Sequence, residues 1–202
     1  MKPIYSLLLA TLMLVGCNSG QKKTAEEEFD KQKEEQVIRQ MVSDVYKEVN
    51  IRWDAASDST GFKGTMEGNY TTEEWQNMYL KLKSIEAEKI AAGDPDGTYF
   101  SKDGNVWTMG STDLPFTTDV VRVEFADSKT ADVYFWLNPA GSENPTESDD
   151  QTAPKRLPIL WEMKKVGDRW LIQDFIQGDE TYDYEYDYME HIKDYIKRNT
   201  NS

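Results

Sequence analysis

The segment Leu160–Phe175, which reads LWEMKKVGDRWLIQDF, decides the fold of this chain. Apolar residues alternate with polar ones on both sides of Gly167 and Asp168, and a period of two is typical of half-buried β-strands. A glycine followed by an acid between two such runs indicates a two-residue hairpin turn. The segment therefore predicts that Leu157–Val166 and Arg169–Phe175 pair as an antiparallel hairpin.

A second pair of strands is predicted before this hairpin. Val121, Val123 and Phe125 alternate with charged residues, so we expect their side chains to face a core. Ala131–Leu137 is predicted to pair with that strand after a short turn. Residues 138–156, which follow, are rich in proline and acids, and this composition predicts a long flexible loop.

One more hairpin is predicted further upstream. Tyr99–Phe100 and Val106–Met109 are short apolar and aromatic runs, and Asp103-Gly104 lies between them. An Asp-Gly pair flanked by such runs is a strong hairpin signal. With the two later pairs, this predicts an antiparallel sheet of four or more strands.

The first helix is predicted from a capping signal and an apolar stripe. Thr24–Glu27 matches a capping box, in which the threonine and glutamate side chains satisfy free backbone N–H groups. Apolar residues from Ile38 to Val49 then recur at helical spacing, and the helix is expected to end near Asn50. Because its first two turns are almost entirely charged, we expect this helix to project before it contacts the domain.

Two further helices are predicted after the Ser57–Asn69 stretch, whose serine, glycine and threonine content indicates a loop. Thr71–Glu74 is a second capping box, and Gly93 is a typical helix stop. A C-terminal helix is predicted from about Tyr182 to Arg198. The expected fold class is therefore α+β, with N-terminal helices packed on a curved antiparallel sheet and an extra C-terminal helix.

The N-terminus resembles a bacterial lipoprotein signal peptide. Lys2 precedes the apolar run Ile4–Val15, which is too short for a bilayer span of roughly 20 residues. Leu14-Val15-Gly16-Cys17 is similar to the lipobox. That resemblance implies cleavage after the first 16 residues, acylation of Cys17, and a tether with a charged helix start over residues 17–36.

The resemblance also implies a location in the cell envelope, attached to a membrane through the lipid on Cys17. The residues after this cysteine lack the acidic run that surface-exported lipoproteins of the Bacteroidetes often carry. Asn18 is not the aspartate associated with inner-membrane retention. We therefore expect an outer-membrane lipoprotein that faces the periplasm. Cys17 is the only cysteine, which excludes a disulfide within the chain and a thiolate zinc site.

The charge balance limits the classes of partner. The chain has 37 acidic and 23 basic residues and a formal net charge of −14. Removal of the predicted signal peptide also removes Lys2, which leaves −15. A strongly acidic chain is unsuited to nucleic acid, whose recognition needs basic patches. The acidic balance favours solubility first, and attraction of a cationic partner second.

The order of helices, strands and hairpin resembles the cystatin-like α+β roll of the NTF2-like superfamily. In that superfamily the last hairpin often has a Gly-acid turn followed by Trp, Ile and Asp, as in Gly167–Asp174 here. Asp103–Trp107, together with Asp113, is similar to the DUF3828-type lipoproteins. The resemblance covers residues 37–198, leaves 199–202 as a tail, and implies a cone-shaped pocket.

No catalytic or metal-binding motif is predicted, and no cofactor is expected. His191 is the only histidine, and a lone histidine is a poor metal or catalytic centre. Asp94–Gly97 invites a calcium interpretation, but the twelfth position of the loop is Asn105 rather than the glutamate that the EF-hand requires. Acids near strand ends, such as Asp174, have no identifiable catalytic partner in the sequence.

The C-terminal segment alternates tyrosines with acids and supplies the candidate binding residues. These are Tyr182, Asp183, Tyr184, Asp187 and Tyr188. Carboxylates pair with Arg and Lys, and tyrosine adds rigid contact area. The same residues also suit a solvated helix start over a sheet edge, and this structural interpretation is favoured.

Three functions remain open. The first is a non-catalytic envelope module that binds a small molecule, a glycan or a protein. The second is an acidic inhibitor or immunity-type protein that binds a basic enzyme through its acidic tail. The third is a small enzyme that uses the pocket of the roll, and it has the least support because no catalytic set is apparent in the sequence.

Overall fold

The computed structural model describes residues 29–55, 66–94, 106–109, 115–139, 156–178 and 186–200. Within them the elements are α1 (Lys31–Ala55), α2 (Met66–Tyr70), α3 (Glu73–Ala91), β1 (Thr117–Phe125), β2 (Thr130–Asn138), β3 (Leu157–Val166), β4 (Arg169–Gln177), β5 (Tyr186–Asp187) and α4 (Tyr188–Thr200).

The five strands form one curved, unclosed antiparallel sheet in the order β1-β2-β3-β4-β5. The predicted hairpin is confirmed, since β3 and β4 pair from Ile159 opposite Gln177 to Val166 opposite Arg169. Gly167 turns the chain with φ +61°, a conformation that glycine adopts without steric cost. The predicted α+β roll with an extra C-terminal helix is also confirmed.

Strand β1 contains an irregularity that changes which side chains face the core. Its pairing with β2 shifts register between Val120 and Arg122, as at a β-bulge. The prediction that Val121 faces the core is wrong, because the shift leaves this side chain 54% exposed. Val120 packs against the core instead, and its carbonyl oxygen accepts a hydrogen bond from Arg39 Nη1 at 2.5 Å.

Helix α1 is attached to the sheet from its first described turn, whereas most of the charged start that was predicted to project, from Thr24 onward, lies outside the described residues. Asp30 caps the helix, accepting hydrogen bonds from two backbone N–H groups of the first turn. The Phe29 ring lies 5.3 Å from the Phe125 ring on β1. The capping box predicted at Thr24–Glu27 lies outside the described residues.

The rest of α1 lies across the inner face of the sheet. Its buried stripe comprises Ile38, Val42, Val45, Tyr46 and Val49, and these match the apolar spacing of the sequence. The side-chain amide of Asn50 fixes the segment before β1, since it donates to the Phe116 carbonyl at 2.8 Å and accepts from the Phe116 N–H at 2.9 Å.

Helices α2 and α3 flank the β4 edge of the sheet. Residues 66–69 were predicted as part of a loop, but Met66–Tyr70 forms α2. The predicted start and end of α3 are confirmed, since Thr72 accepts a hydrogen bond from the Trp75 N–H and Gly93 has φ +78° just past the helix. Thr71 forms a parallel bridge with Ile172, which extends this edge of the sheet.

Two further predictions require correction. Val106–Met109 was predicted as a strand but forms a turn, and all four residues are buried. Its predicted partner, Tyr99–Phe100, lies outside the described residues, as do residues 140–155 of the predicted loop. The C-terminal helix starts at Tyr188 rather than near Tyr182, because Tyr186–Asp187 pairs with β4 as the short strand β5.

Candidate functional site

A connected group of rings, which we call the aromatic interior, lies between the helices and the inner face of the sheet. It comprises Tyr46, Trp75, Trp107, Phe135, Trp161 and Phe175. The Tyr46 ring stacks on Trp161 with centroids 5.9 Å apart. Phe175 contacts Trp107 at 5.0 Å and Trp75 at 5.2 Å. Ring packing of this kind adds to the stability that area burial provides.

Glu67 brings a carboxyl group to this interior. It lies in the short helix α2 and is only 8% exposed. One carboxyl oxygen accepts a hydrogen bond from Trp107 Nε1 at 3.3 Å. The other oxygen, Oε2, is buried and has no hydrogen-bond partner among the described residues. Burial, together with Glu67 and Glu86, raises the pKa of the Tyr79 phenol well above its usual value.

Other buried polar atoms of the interior also lack a hydrogen-bond partner among the described residues. The atoms of the interior that, besides Glu67 Oε2, have no hydrogen-bond partner among the described residues are the Tyr46 hydroxyl, Trp75 Nε1, the Thr108 hydroxyl and Trp161 Nε1. Burial, and secondarily Tyr188, raises the pKa of the Tyr46 phenol, so it stays a neutral hydrogen-bond donor. The large majority of buried side-chain polar atoms in proteins have a hydrogen-bond partner. The interior therefore presents donors, together with one carboxylate, that a polar ligand could satisfy.

A second group of titratable residues lies at the start of α4. Asp174 is 3% exposed and accepts hydrogen bonds from the Phe175 N–H at 2.6 Å and the Met189 N–H at 3.0 Å. Burial, reinforced by the neighbouring carboxyl group of Asp187, raises the pKa of Asp174 to about 8. Strand alternation places Asp174 on the opposite face of β4 from Phe175, away from the aromatic interior.

The structure describes two of the five candidate binding residues. Asp187 is half-buried and caps α4, since its carboxylate accepts from the Glu190 N–H at 2.7 Å. Tyr188 is 5% exposed and belongs to the core. Tyr182, Asp183 and Tyr184 lie outside the described residues, so their role in binding stays a prediction.

His191 has a local structural role on α4. Its Nδ1 lies 2.7 Å from the Asp187 carbonyl oxygen, and its ring stacks on Tyr186 with centroids 3.9 Å apart. Within the described part of the chain, no group of three or more His, Cys, Asp or Glu residues is placed to hold a metal ion. The calcium interpretation of Asp94–Gly97 stays untested, because residues 95–105 lie outside that part.

Sequence reasoning missed Glu67 and Thr108. Glu67 lies in a segment predicted as a loop, and Thr108 lies in a predicted strand that is a turn. Both are buried by contacts with residues distant in the sequence, such as the contact between Glu67 and Trp107. A glutamate followed by glycine and asparagine carries no local signal of burial.

Comparisons with known proteins identify no relative of this chain. No protein-family model matches the chain, and neither a curated protein nor a solved structure matches it. Among the described residues, no helix has the length and apolar character needed to cross a membrane. Cys17 and the segment that resembles a lipobox lie outside those residues.

Proposed function

We propose that this protein is a lipid-anchored binding protein of the cell envelope whose aromatic interior holds a small polar ligand. The observation that carries the proposal is the set of buried polar atoms without a partner among the described residues, above all Glu67 Oε2. Leaving a buried polar group unbonded costs about 1–3 kcal/mol. A ligand that bonds these atoms would recover part of that cost.

The chemistry of these atoms indicates the class of ligand. Two indole N–H groups and two hydroxyls donate hydrogen bonds, and the Glu67 carboxylate accepts them. The surrounding rings favour a ligand with an apolar face. A hydroxylated or amine-bearing ring compound, such as a sugar or an aromatic amine, meets both requirements.

The same set of groups favours binding over catalysis. General acid–base chemistry needs a group whose pKa lies near the working pH. The phenols of Tyr46 and Tyr79 have pKa values raised well above that range, and the indole and hydroxyl groups do not titrate there. Asp174, the acid with a pKa of about 8, faces away from the aromatic interior.

The inhibitor hypothesis has less support because of the position of Tyr188. This side chain is buried and unavailable to a partner, and Asp187 is engaged at the start of α4. That hypothesis would rest on Tyr182, Asp183 and Tyr184.

A ligand screen by thermal unfolding tests the proposed ligand site. The mature chain carrying Cys17→Ser is mixed with sugars, amino sugars and aromatic amines. A ligand present at 100 times its Kd stabilises the protein by about 2.7 kcal/mol, which raises Tm by roughly 5–11 °C for a domain of this size. Glu67→Gln and Thr108→Val should each weaken binding about tenfold, whereas Glu88→Gln on the exposed face of α3 should not. Ligands that bind equally well to all three variants, or turnover of the ligand, would overturn the proposal.

Fractionation of the native organism tests the anchor. The wild-type protein should incorporate a fatty-acid label and remain with the outer membrane, and Cys17→Ser should abolish both. Release of the unlabelled wild-type chain into the soluble periplasm would contradict lipidation.

A further inference from the structure

Helices α3 and α4 pack against each other and form a surface groove between them. The groove has a volume of 630 Å³. Its floor is apolar, because Met78 on α3 is half-buried and Ile196 on α4 is 8% exposed. Lys81 lines the α3 wall, and Lys193 and Lys197 line the α4 wall.

The charge of this groove is opposite to that of the chain. Three lysines and one acid, Glu74, line it, although acids outnumber bases 37 to 23 in the sequence. Lys193 and Lys197 are four residues apart, so they lie on one face of α4. Lys193 and Lys197 therefore line the groove from α4, opposite Lys81 on α3.

None of these three lysines forms an ion pair with any residue that the structure describes. Other lysines of the same chain do, with Nζ–oxygen distances of 2.7–3.5 Å, namely Lys47, Lys83, Lys89 and Lys165. Other exposed lysines, such as Lys31, Lys129 and Lys164, also form no ion pair with the described residues, so what distinguishes the groove is that three such lysines line one apolar floor. The positive charge of these lysines can pair with carboxylate groups of another molecule.

From this charge complementarity we infer that the groove binds an acidic peptide segment of a partner protein, with an apolar side chain seated on Met78 and Ile196. The lining of α4 runs from Lys193 to Thr200, which is about 10 Å at 1.5 Å per residue. That length accommodates two helical turns or about three extended residues. The inference is independent of the ligand proposed for the aromatic interior.

The net charge of the chain gives this site selectivity. An acidic partner is repelled at long range by the rest of the protein, and is attracted only where the three lysines face it. Moderate salt screens the distant repulsion more than the short-range contacts in the groove, because screening grows with the distance between the charges. Only peptide segments that combine acidic residues with an apolar side chain should therefore bind in the groove.

Selection from a displayed library of random twelve-residue peptides tests the inference. The mature chain with Cys17→Ser is the target. Enriched peptides should carry two or more acids beside Leu, Ile, Met or Phe. K81E/K193E/K197E should weaken their binding at least tenfold. The matched control K31E/K129E/K164E changes the net charge equally at exposed lysines outside the groove and should weaken binding less than threefold.

Several outcomes would overturn the inference. These are the absence of enrichment, enrichment of peptides without acids, and equal loss of binding in both triple variants. Lysine-dependent binding of phosphatidylglycerol vesicles without any enriched peptide would assign the groove to a membrane surface instead. If circular dichroism shows that the charge reversal unfolds the protein, K81Q/K193Q/K197Q replaces it, with the same tenfold criterion.

Discussion

The buried carboxyl group of Asp174 accepts a hydrogen bond from the Met189 N–H at 3.0 Å, in the first turn of helix α4, which Asp187 caps. Burial, together with the neighbouring charge of Asp187, disfavours the ionised form of Asp174 and raises its pKa to about 8, so its carboxyl group is protonated near neutral pH. The attachment of β5 and α4 to β4 therefore depends on pH.

The first prediction concerns the stability of the protein between pH 4 and pH 8. An unfolded aspartate has a pKa of about 3.9, so the folded state binds the Asp174 proton more tightly. The contribution of Asp174 to the unfolding free energy therefore falls as pH rises through that window, and it is fully lost above about pH 8. Asp174→Asn, which stays neutral, should exceed the wild type in unfolding free energy at pH 8.5 by at least about 1 kcal/mol.

Urea unfolding at pH 4.5, 6.5 and 8.5 measures this difference, which should shrink toward the acidic end. Asp119→Asn, at an exposed position of β1, is the control and should show no such trend. A constant difference between Asp174→Asn and the wild type across the three pH values would contradict the prediction.

The second prediction concerns Glu34 at the start of α1. Its carboxylate accepts from Lys165 Nζ at 2.7 Å and from Trp170 Nε1 at 2.6 Å. The hydrogen bond from Lys165 is the main reason that the pKa of Glu34 is lowered. The stabilisation is therefore present above the unfolded pKa of about 4.3 and is lost as pH falls through the folded pKa.

Glu34→Ala should lower the unfolding free energy at pH 7 by about 1–3 kcal/mol, because two donors lose their acceptor. Glu35→Ala is the matched control, since Glu35 forms only a half-exposed pair with Arg39 on the same helix. That loss should be no more than about 0.5 kcal/mol. Chemical denaturation of both variants measures the difference, and equal losses would argue against attachment of α1 through Glu34.

The third prediction concerns the β3–β4 turn. Gly167 has φ +61°, and a Cβ atom added there would meet no atom within 4 Å. Gly167→Ala should therefore destabilise the protein through backbone strain alone, by about 1–2 kcal/mol. Gly68→Ala in α2 also meets nothing within 4 Å but has no positive φ. Thermal unfolding should show a lower Tm only for Gly167→Ala.

The fourth prediction separates stability from binding at Glu67. Replacing Glu67 by Gln keeps an acceptor for Trp107 Nε1 but puts an amide with two N–H donors where Oε2 has no partner among the described residues. Because a buried donor without an acceptor is costly, Glu67→Gln should lower the unfolding free energy of the ligand-free protein by about 1–3 kcal/mol. Glu88→Gln, at an exposed position of α3, is the control and should change it by less than about 0.5 kcal/mol. Calorimetry without ligand measures both, and a Glu67→Gln variant as stable as the wild type would contradict the prediction.

The parts of the fold that the sequence predicted are those set by local chemistry. The β3–β4 hairpin has a glycine at its turn and alternating strands, and α3 has Thr72 at its start and Gly93 after its end. Each of these signals acts within a few residues. Their agreement with the structure reflects local and tertiary preferences that coincide.

The parts that were wrong depend on tertiary contacts. Val106–Met109 is apolar because it is buried as a turn, and an apolar run alone does not distinguish a strand from a buried turn. The attachment of α1 through Glu34, which Lys165 and Trp170 meet from distant positions in the sequence, was also not predicted. The period-two pattern predicted that Val121 faces the core, and this was wrong because of the bulge in β1.

The candidate site was predicted less well than the fold. Of the tyrosine and acid residues chosen from the sequence, Asp187 and Tyr188 serve the packing of α4. Glu67 and Thr108 were missed because their burial is created by rings from other elements. The sequence shows which charged, polar and aromatic side chains a segment carries. Whether each of them is buried depends on contacts made by the folded protein.

Both edges of the sheet have features that disfavour aggregation. Beside β4, the short strand β5 and the bridge from Thr71 occupy backbone groups that another strand could use. On β1, the bulge interrupts the strand and Arg39 occupies the Val120 carbonyl. Short, irregular or occupied edges disfavour strand addition by a second molecule. At high protein concentration, copies of the chain should therefore remain separate rather than form cross-β assemblies through these two described edges.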